Sequence, residues 1–122
     1  TAAVYQAFDR DAGHDPSDPA WVDEQVREAL ADGCVPADRL FNDLTRGAMA
    51  SSRDLAGLMA SLDAAARRLI GRDGRSQPAR VHLTGSGSTM FCVPPRGVSA
   101  AEMIEGLRVA APGCVLTAAR LV

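Results

Sequence analysis

Residues 80–93 have the sequence RVHLTGSGSTMFCV, in which two short apolar runs flank a loop of alternating glycine and hydroxyl residues. Two such runs joined by a short glycine-containing loop predict a β-hairpin. Gly85 and Gly87 also allow backbone angles that other residues avoid, so consecutive N–H groups could point into one concavity and bind an anion. Spacing alone leaves both interpretations open, a plain turn and an anion-binding loop.

The loop matches neither of the common glycine-rich phosphate motifs. The pattern GxxxxGK(S/T) does not occur, and Met90 stands where the last glycine of GxGxxG would fall. Hydroxyl groups in and beside the loop could nevertheless reach phosphate oxygens. The residues predicted to bind substrate or phosphate are Thr84, Gly85, Ser86, Gly87, Ser88 and Thr89.

Composition and charge narrow the class of protein. The chain has 122 residues, which fits one domain, and it is 47% hydrophobic but only 4% aromatic, so we expect closely packed helices with small side chains. A net charge of −2 does not give the basic field typical of nucleic-acid binding. All 13 basic residues are arginine, so chemistry that needs a lysine ammonium group must come from outside this chain.

The sequence carries no signal for a membrane or for secretion. No apolar run approaches the roughly 18 residues that span a bilayer, and the amino terminus lacks the charged and apolar regions of a signal peptide. We therefore expect a soluble, cytoplasmic protein. Three widely spaced cysteines, Cys34, Cys92 and Cys114, favour reduced and mostly buried thiols over disulfides or a zinc site.

Helical periodicity covers most of the chain outside the hairpin. Helices are expected over about 1–8, over 19–33, after Pro36, from Ser51 or Ser52 to about 69, and from the capping box at Ser99 to about 110. The predicted buried face of the second helix consists of Trp21, Val22, Val26 and Leu30. The third helix is expected to carry the apolar residues Leu40, Phe41, Leu44 and Met49.

A third strand is expected at residues 114–122, after the helix stop at Pro112 and Gly113. Together with hairpin strands at 80–84 and 89–93, it would complete a small antiparallel sheet. The order of helices, hairpin, helix and strand predicts an α+β domain in which several helices pack on that sheet.

Three polar features outside the loop have structural as well as functional interpretations. Asn42 and Asp43 fall inside a helical pattern although both form helices weakly, so we expect them to support the back of the glycine loop rather than to contact ligand. His82 alternates with Val81 and Leu83, which favours an exposed or partner-facing histidine over a catalytic one. Four carboxylates lack metal-ligand spacing, so no metal site is expected at Asp9, Asp11, Asp15 and Asp18.

Three stretches of the chain resemble one enzyme superfamily, the GHMP small-molecule kinases. Residues 83–92, LTGSGSTMFC, resemble its third glycine-rich signature. Residues 1–9, TAAVYQAFD, are similar to the segment that opens the carboxy-terminal domain in the diphosphocytidyl-methylerythritol kinase branch. Residues 41–44, FNDL, are similar to the FNDLE of that branch, with Thr45 in place of the glutamate.

The resemblance implies that residues 1–122 form the carboxy-terminal, ferredoxin-like domain of such a kinase. In relatives the catalytic Asp and Lys and the loop that wraps ATP belong to an amino-terminal domain, so no catalytic residue is expected in this chain. The loop at 84–89 would form the other wall of a cleft for ATP, Mg²⁺ and a small-molecule substrate. The chain alone should then be inactive and should bind no cofactor tightly.

Two alternatives and one structural consequence remain. The chain could be a free-standing α+β module that binds a small anion or regulates another protein, or the same domain of a different GHMP kinase. In the family a strand that precedes Thr1 lies between the last strand and the hairpin. Without it, we expect strand 114–122 to close directly onto the hairpin, or a homodimer or strand exchange to fill the gap.

Overall fold

The computed structural model describes residues 1–10, 19–32, 39–71 and 77–120. Within these residues the elements are α1 (Ala2–Arg10), α2 (Pro19–Asp32), α3 (Thr45–Ser51), α4 (Arg53–Ala66), β1 (Val81–Leu83), β2 (Met90–Cys92) and α5 (Ala100–Arg108). This arrangement confirms the α+β class. The predictions for Asp11, Asp15, Asp18 and Cys34 lie outside the described residues, and so does the Trp21 side chain. None of the described helices is long and apolar enough to cross a membrane.

The predicted hairpin is present. β1 and β2 pair antiparallel, with Val81 opposite Cys92 and Leu83 opposite Met90. Val81 and Leu83 are buried, whereas His82 faces the other side and stacks on Phe91 with a ring-centre distance of 5.3 Å. The period-2 alternation expected for a half-buried strand therefore holds.

The main core lies between α4, α5 and the hairpin. Its buried residues are Leu62, Ala65, Ala66, Ala79, Val81, Met103, Leu107 and Ala111. Four of these eight side chains are alanine, so backbones approach closely and little volume is filled by rings, as the low aromatic content predicts.

A second, smaller core joins α1, α3 and β1 through Val4, Ala48 and Leu83. Gly47 allows the close approach of α1 and α3, because a Cβ atom there would lie 2.7 Å from the Val4 carbonyl oxygen. The Ser51 hydroxyl donates to the Gly47 carbonyl at 2.7 Å and also lies 3.3 Å from the Ala3 carbonyl oxygen of α1.

The predicted starts of α4 and α5 are confirmed by their caps. Ser52 begins α4, since its side chain accepts a hydrogen bond from the Leu55 N–H at 3.2 Å. Ser99 and Glu102 form the expected capping box of α5. Each cap satisfies N–H groups that the first helical turn leaves without a partner.

The expected burial of α2 is wrong for the three predicted residues whose side chains are described. Of its side chains, Val22 is 38% exposed, Val26 is 53% exposed and Leu30 is 78% exposed. The aliphatic residues do share one side of the helix, but no other described element covers that side with a buried contact. Periodicity identified the stripe and could not show whether anything packs on it.

The third helix starts later than expected. Residues 40–44 precede it as a turn, and α3 begins only at Thr45. The Leu44 N–H donates to the Asn42 side-chain oxygen at 3.0 Å, which gives the backbone an alternative to helix at this point. The interpretation of Leu40, Phe41, Asn42 and Asp43 as helical is therefore wrong.

The predicted third strand is also wrong over its described part. Residues 114–120 have no regular secondary structure, and the sheet of the described chain has two strands. Leu116 packs against the main core, while Val115 is 90% exposed. Closure of this segment directly onto the hairpin is therefore ruled out, and strand exchange with another molecule stays a prediction.

Candidate functional site

The loop between β1 and β2 has the backbone that its glycines predict. Gly85 has φ of +54° and Gly87 has φ of +88°, both in the region that disfavours other residues. Two hydrogen bonds close the loop: the Thr84 N–H donates to the Thr89 carbonyl at 3.0 Å, and the Gly87 N–H donates to the Thr84 carbonyl at 3.2 Å.

Asn42 holds this loop from behind. Its Nδ2 donates to the Gly85 carbonyl at 2.7 Å and to the Leu83 carbonyl at 3.0 Å, and its Oδ1 accepts from the Leu44 N–H at 3.0 Å. The contact expected between Asn42 and the glycine loop is thus present, although it starts from a turn rather than from a helix. Asp43 lies next to Asn42 and is half-buried.

Around Gly85 the loop backbone leaves hydrogen-bond donors, rather than acceptors, available. The carbonyls of Leu83, Thr84 and Gly85 all accept hydrogen bonds from within the protein. The N–H groups of Gly85 and Ser86 have no hydrogen-bond partner among the described residues. Gly85 is exposed and Ser86 half-buried, so these donors are open to solvent or to a ligand. Such an arrangement suits an anion.

A groove of about 540 Å³ runs along the outer edge of β1, between this strand, α4 and residues 40–49. Its wall is mostly apolar, with Met49, Met59 and Leu83 among the lining residues, and Asn42 both lines it and binds the loop. His82 lines the groove and is half-buried, so the expectation of an exposed or partner-facing ring is only partly met.

Asp63 is a polar residue of the groove that the sequence did not single out. Its carboxylate accepts from the Val81 N–H at 3.2 Å and pairs with the Arg67 guanidinium at 2.7 Å. The spacing of four residues between Asp63 and Arg67 predicts a helical ion pair. Nothing in the sequence signals the contact with a strand 18 residues away.

The two described thiols differ in burial. Burial, together with the nearby Asp63 carboxylate, raises the pKa of Cys92 from 9.0 to about 11, so this thiol stays protonated at neutral pH and is a poor nucleophile. Cys114 is exposed, which contradicts the expectation of buried thiols. Among the described residues, no group of three or more His, Cys, Asp and Glu side chains could hold a metal ion.

The structure brings together the three stretches that carry the family resemblance. Val4 of the first stretch packs with Leu83 of the third, and Leu44 of the second packs against the same small core. Comparison with protein-family models, curated proteins and solved structures finds no match to the chain.

Proposed function

We propose that the chain is the carboxy-terminal domain of a GHMP-type small-molecule kinase and that its glycine loop binds phosphate groups in the catalytic cleft. One observation carries the proposal: three separate stretches similar to that superfamily meet at one place, where Asn42 of the second stretch binds the loop of the third. A plain hairpin turn does not need this contact with a side chain 43 residues away in the sequence.

The proposed reaction is transfer of the γ-phosphoryl group of ATP to a hydroxyl of 4-diphosphocytidyl-2-C-methyl-D-erythritol, a step of non-mevalonate isoprenoid synthesis. The similarity of residues 1–9 and 41–44 to that branch supports this substrate over those of other GHMP kinases. Phosphoryl transfer depends mainly on positioning and charge neutralisation. The N–H groups of Gly85 and Ser86 supply hydrogen bonds to phosphate oxygens, with the hydroxyls of residues 84–89 beside them.

The remaining chemistry belongs to other groups. In the proposed enzyme an amino-terminal domain would provide the catalytic Asp and Lys, and bound Mg²⁺ would supply charge neutralisation at the phosphates. The raised pKa of Cys92, about 11, keeps its thiol protonated at neutral pH. Since one loop contributes a few hydrogen bonds of about 0.5–1.5 kcal/mol each, we expect millimolar or weaker affinity of this chain for ATP.

The proposal is tested by following the amide signals of the loop during titration with ATP. Shifts confined to residues 84–89 are expected, and Gly85→Val should remove them, because a β-branched side chain resists a φ of +54°. Sodium chloride at equal ionic strength serves as the control. If the loop signals do not move, or move equally with chloride, phosphate binding at this loop is wrong.

A kinase assay separates the proposed enzyme from a free-standing anion-binding module. The chain alone should show no ATP-dependent phosphorylation of the methylerythritol substrate, whereas the product of the complete coding region should show it. In that product Gly85→Val should abolish turnover, and Ser86→Ala should reduce it about tenfold if backbone donors dominate. Loop binding without turnover by the complete product would favour the module.

A further inference from the structure

We infer that Asn42 is a positioning residue that fixes the loop with its N–H groups outward before any ligand binds; the inference rests on the proposed role of the loop. The number of hydrogen atoms on Nδ2 excludes a further hydrogen bond from this atom to a ligand. An amide nitrogen has two hydrogens, and those of Asn42 are committed to the carbonyls of Leu83 and Gly85.

The orientation of Asn42 is itself fixed from the opposite side. Its Oδ1 accepts the Leu44 N–H at 3.0 Å, in the turn that leads into α3. This bond decides which end of the amide faces the hairpin, so Nδ2 is directed at the loop. Leu44 packs against the small core, which anchors the turn to α1 and β1.

Peptide geometry transmits this orientation to the loop. In a planar trans peptide the C=O and the following N–H point in opposite directions. Because the Gly85 carbonyl points at Asn42, the Ser86 N–H must point away from it, toward the side on which a ligand would bind. The positive φ of Gly85 allows this arrangement.

Asn42→Asp separates the two functions of the side chain. Aspartate keeps an oxygen for the Leu44 N–H and forms the same kind of turn. It removes both N–H donors. In the parent chain Nδ2 lies 2.7 and 3.0 Å from two carbonyl oxygens, and in the variant a carboxylate oxygen would face them instead. Asn42→Ser, which also accepts from an N–H in such turns but cannot reach both carbonyls, replaces it if the aspartate variant does not fold.

Ser99→Ala is the control for general loss of stability. It removes the cap of α5, a helix that does not contribute to the small core under the loop, and a lost cap costs about as much as a lost hydrogen bond. Any effect on the loop that follows from lower stability alone should appear in this variant too.

The first measurement is amide hydrogen exchange and chemical shift without ligand. In Asn42→Asp the exchange rate of the Gly87 N–H should rise about tenfold or more, and the Ser86 amide should shift, because two bonds that hold the loop are lost. Ser99→Ala should leave both unchanged. If the aspartate variant keeps the loop signals of the parent chain, the inference is overturned.

The second measurement is titration of the same proteins with ATP, which tests the proposed function separately. The affinity of Asn42→Asp should fall about tenfold relative to the parent chain and to Ser99→Ala. The parent loop could show no response to ATP while loop exchange is faster in Asn42→Asp. The proposal of phosphate binding would then be wrong, and the inference that Asn42 orders the loop would stand. If ATP binds both proteins equally, positioning by Asn42 fails and phosphate binding stands.

Discussion

The helices α2 and α4 have the same length of 14 residues and opposite environments. α4 buries Leu62, Ala65 and Ala66 against α5 and the hairpin. α2 leaves Leu30 78% exposed, although its aliphatic residues recur with helical spacing. The difference teaches that spacing defines an apolar side, whereas burial depends on which elements lie opposite it.

Among the described residues, polar contacts do not compensate α2 for its lack of buried apolar side chains. Arg39 pairs with Glu28 and approaches the Gln25 side-chain oxygen at 3.4 Å, and both partners of the ion pair are nearly half exposed. Exposed ion pairs contribute about 0–1 kcal/mol. An isolated helix of this length is marginal in water, so the described contacts of α2 contribute little to the free energy of unfolding.

The largest effect is expected from a substitution that removes the core contact of α4. Leu62→Ala should lower the free energy of unfolding by about 2–5 kcal/mol, because Leu62 is 6% exposed in the main core and its removal leaves a cavity. The matched Leu30→Ala in α2 should change it by less than about 0.5 kcal/mol. Urea titrations measure both, and equal losses would show that α2 is packed after all.

The next effect sharpens the comparison with two helical glycines. Gly47→Ala should destabilise by about 1–3 kcal/mol, since the new methyl group would lie 2.7 Å from the Val4 carbonyl oxygen. Gly57→Ala in α4 should stabilise by about 0.5–1 kcal/mol, since nothing lies within 4 Å and alanine is the better helix former. Thermal melts decide; two changes of the same sign would contradict the packing of α1 on α3.

The two loop glycines extend the comparison to the hairpin. Both have positive φ, which costs other residues about 1–2 kcal/mol. A Cβ atom at Gly87 would also lie 3.3 Å from Leu55 of α4, whereas nothing lies within 4 Å of one at Gly85. Gly87→Ala should therefore lower stability more than Gly85→Ala, and the reverse order in urea titrations would show that α4 does not support the loop.

The smallest effect concerns thiol reactivity beside α4. At pH 8 a pKa of about 11 leaves Cys92 with a thiolate fraction about a hundredfold below that of a thiol at 9.0. The thiolate of a thiol with a higher pKa is a better nucleophile, which raises the alkylation rate about tenfold. Alkylation of Cys92 should therefore be about tenfold slower than that of an ordinary thiol, and exposed Cys114 serves as the internal reference. Asp63→Asn should speed alkylation of Cys92, because the carboxylate raises its pKa; site-resolved mass spectrometry measures the rates.

The raised pKa of Cys92 also makes the free energy of unfolding depend on pH. Since the fold favours the neutral thiol of Cys92, this contribution is complete below pH 9.0 and is lost as the pH rises toward about 11. Cys92→Ser should therefore flatten the decline of stability over this alkaline range, as followed by urea titration at each pH. An unchanged pH profile would argue against burial of this thiol.

Local signals predicted the fold better than distant ones did. The caps at Ser52 and Ser99 and the positive φ at Gly85 and Gly87 depend on neighbouring residues, and all of them are confirmed. The exposure of Val26 in α2 and the missing ladder at 114–120 depend on what lies opposite in space, which single-residue patterns do not encode.

The candidate site shows the same division. Poor helix formers at positions 42 and 43 predicted a polar role, and Asn42 does bind the glycine loop. The turn that orients it was missed, because its apolar neighbours Leu40, Phe41 and Leu44 have helical spacing. Asp63 was missed as well, because an acidic residue four positions before an arginine is common on exposed helix surfaces.

Asn42 and Asp63 also occupy two backbone groups on the outer edge of β1. At the free edge of β1, the Leu83 carbonyl is taken by Asn42 and the Val81 N–H by Asp63. An incoming strand would need both groups, so these side chains protect the edge against sheet extension and aggregation. Sheet extension along this edge would first have to break these two contacts.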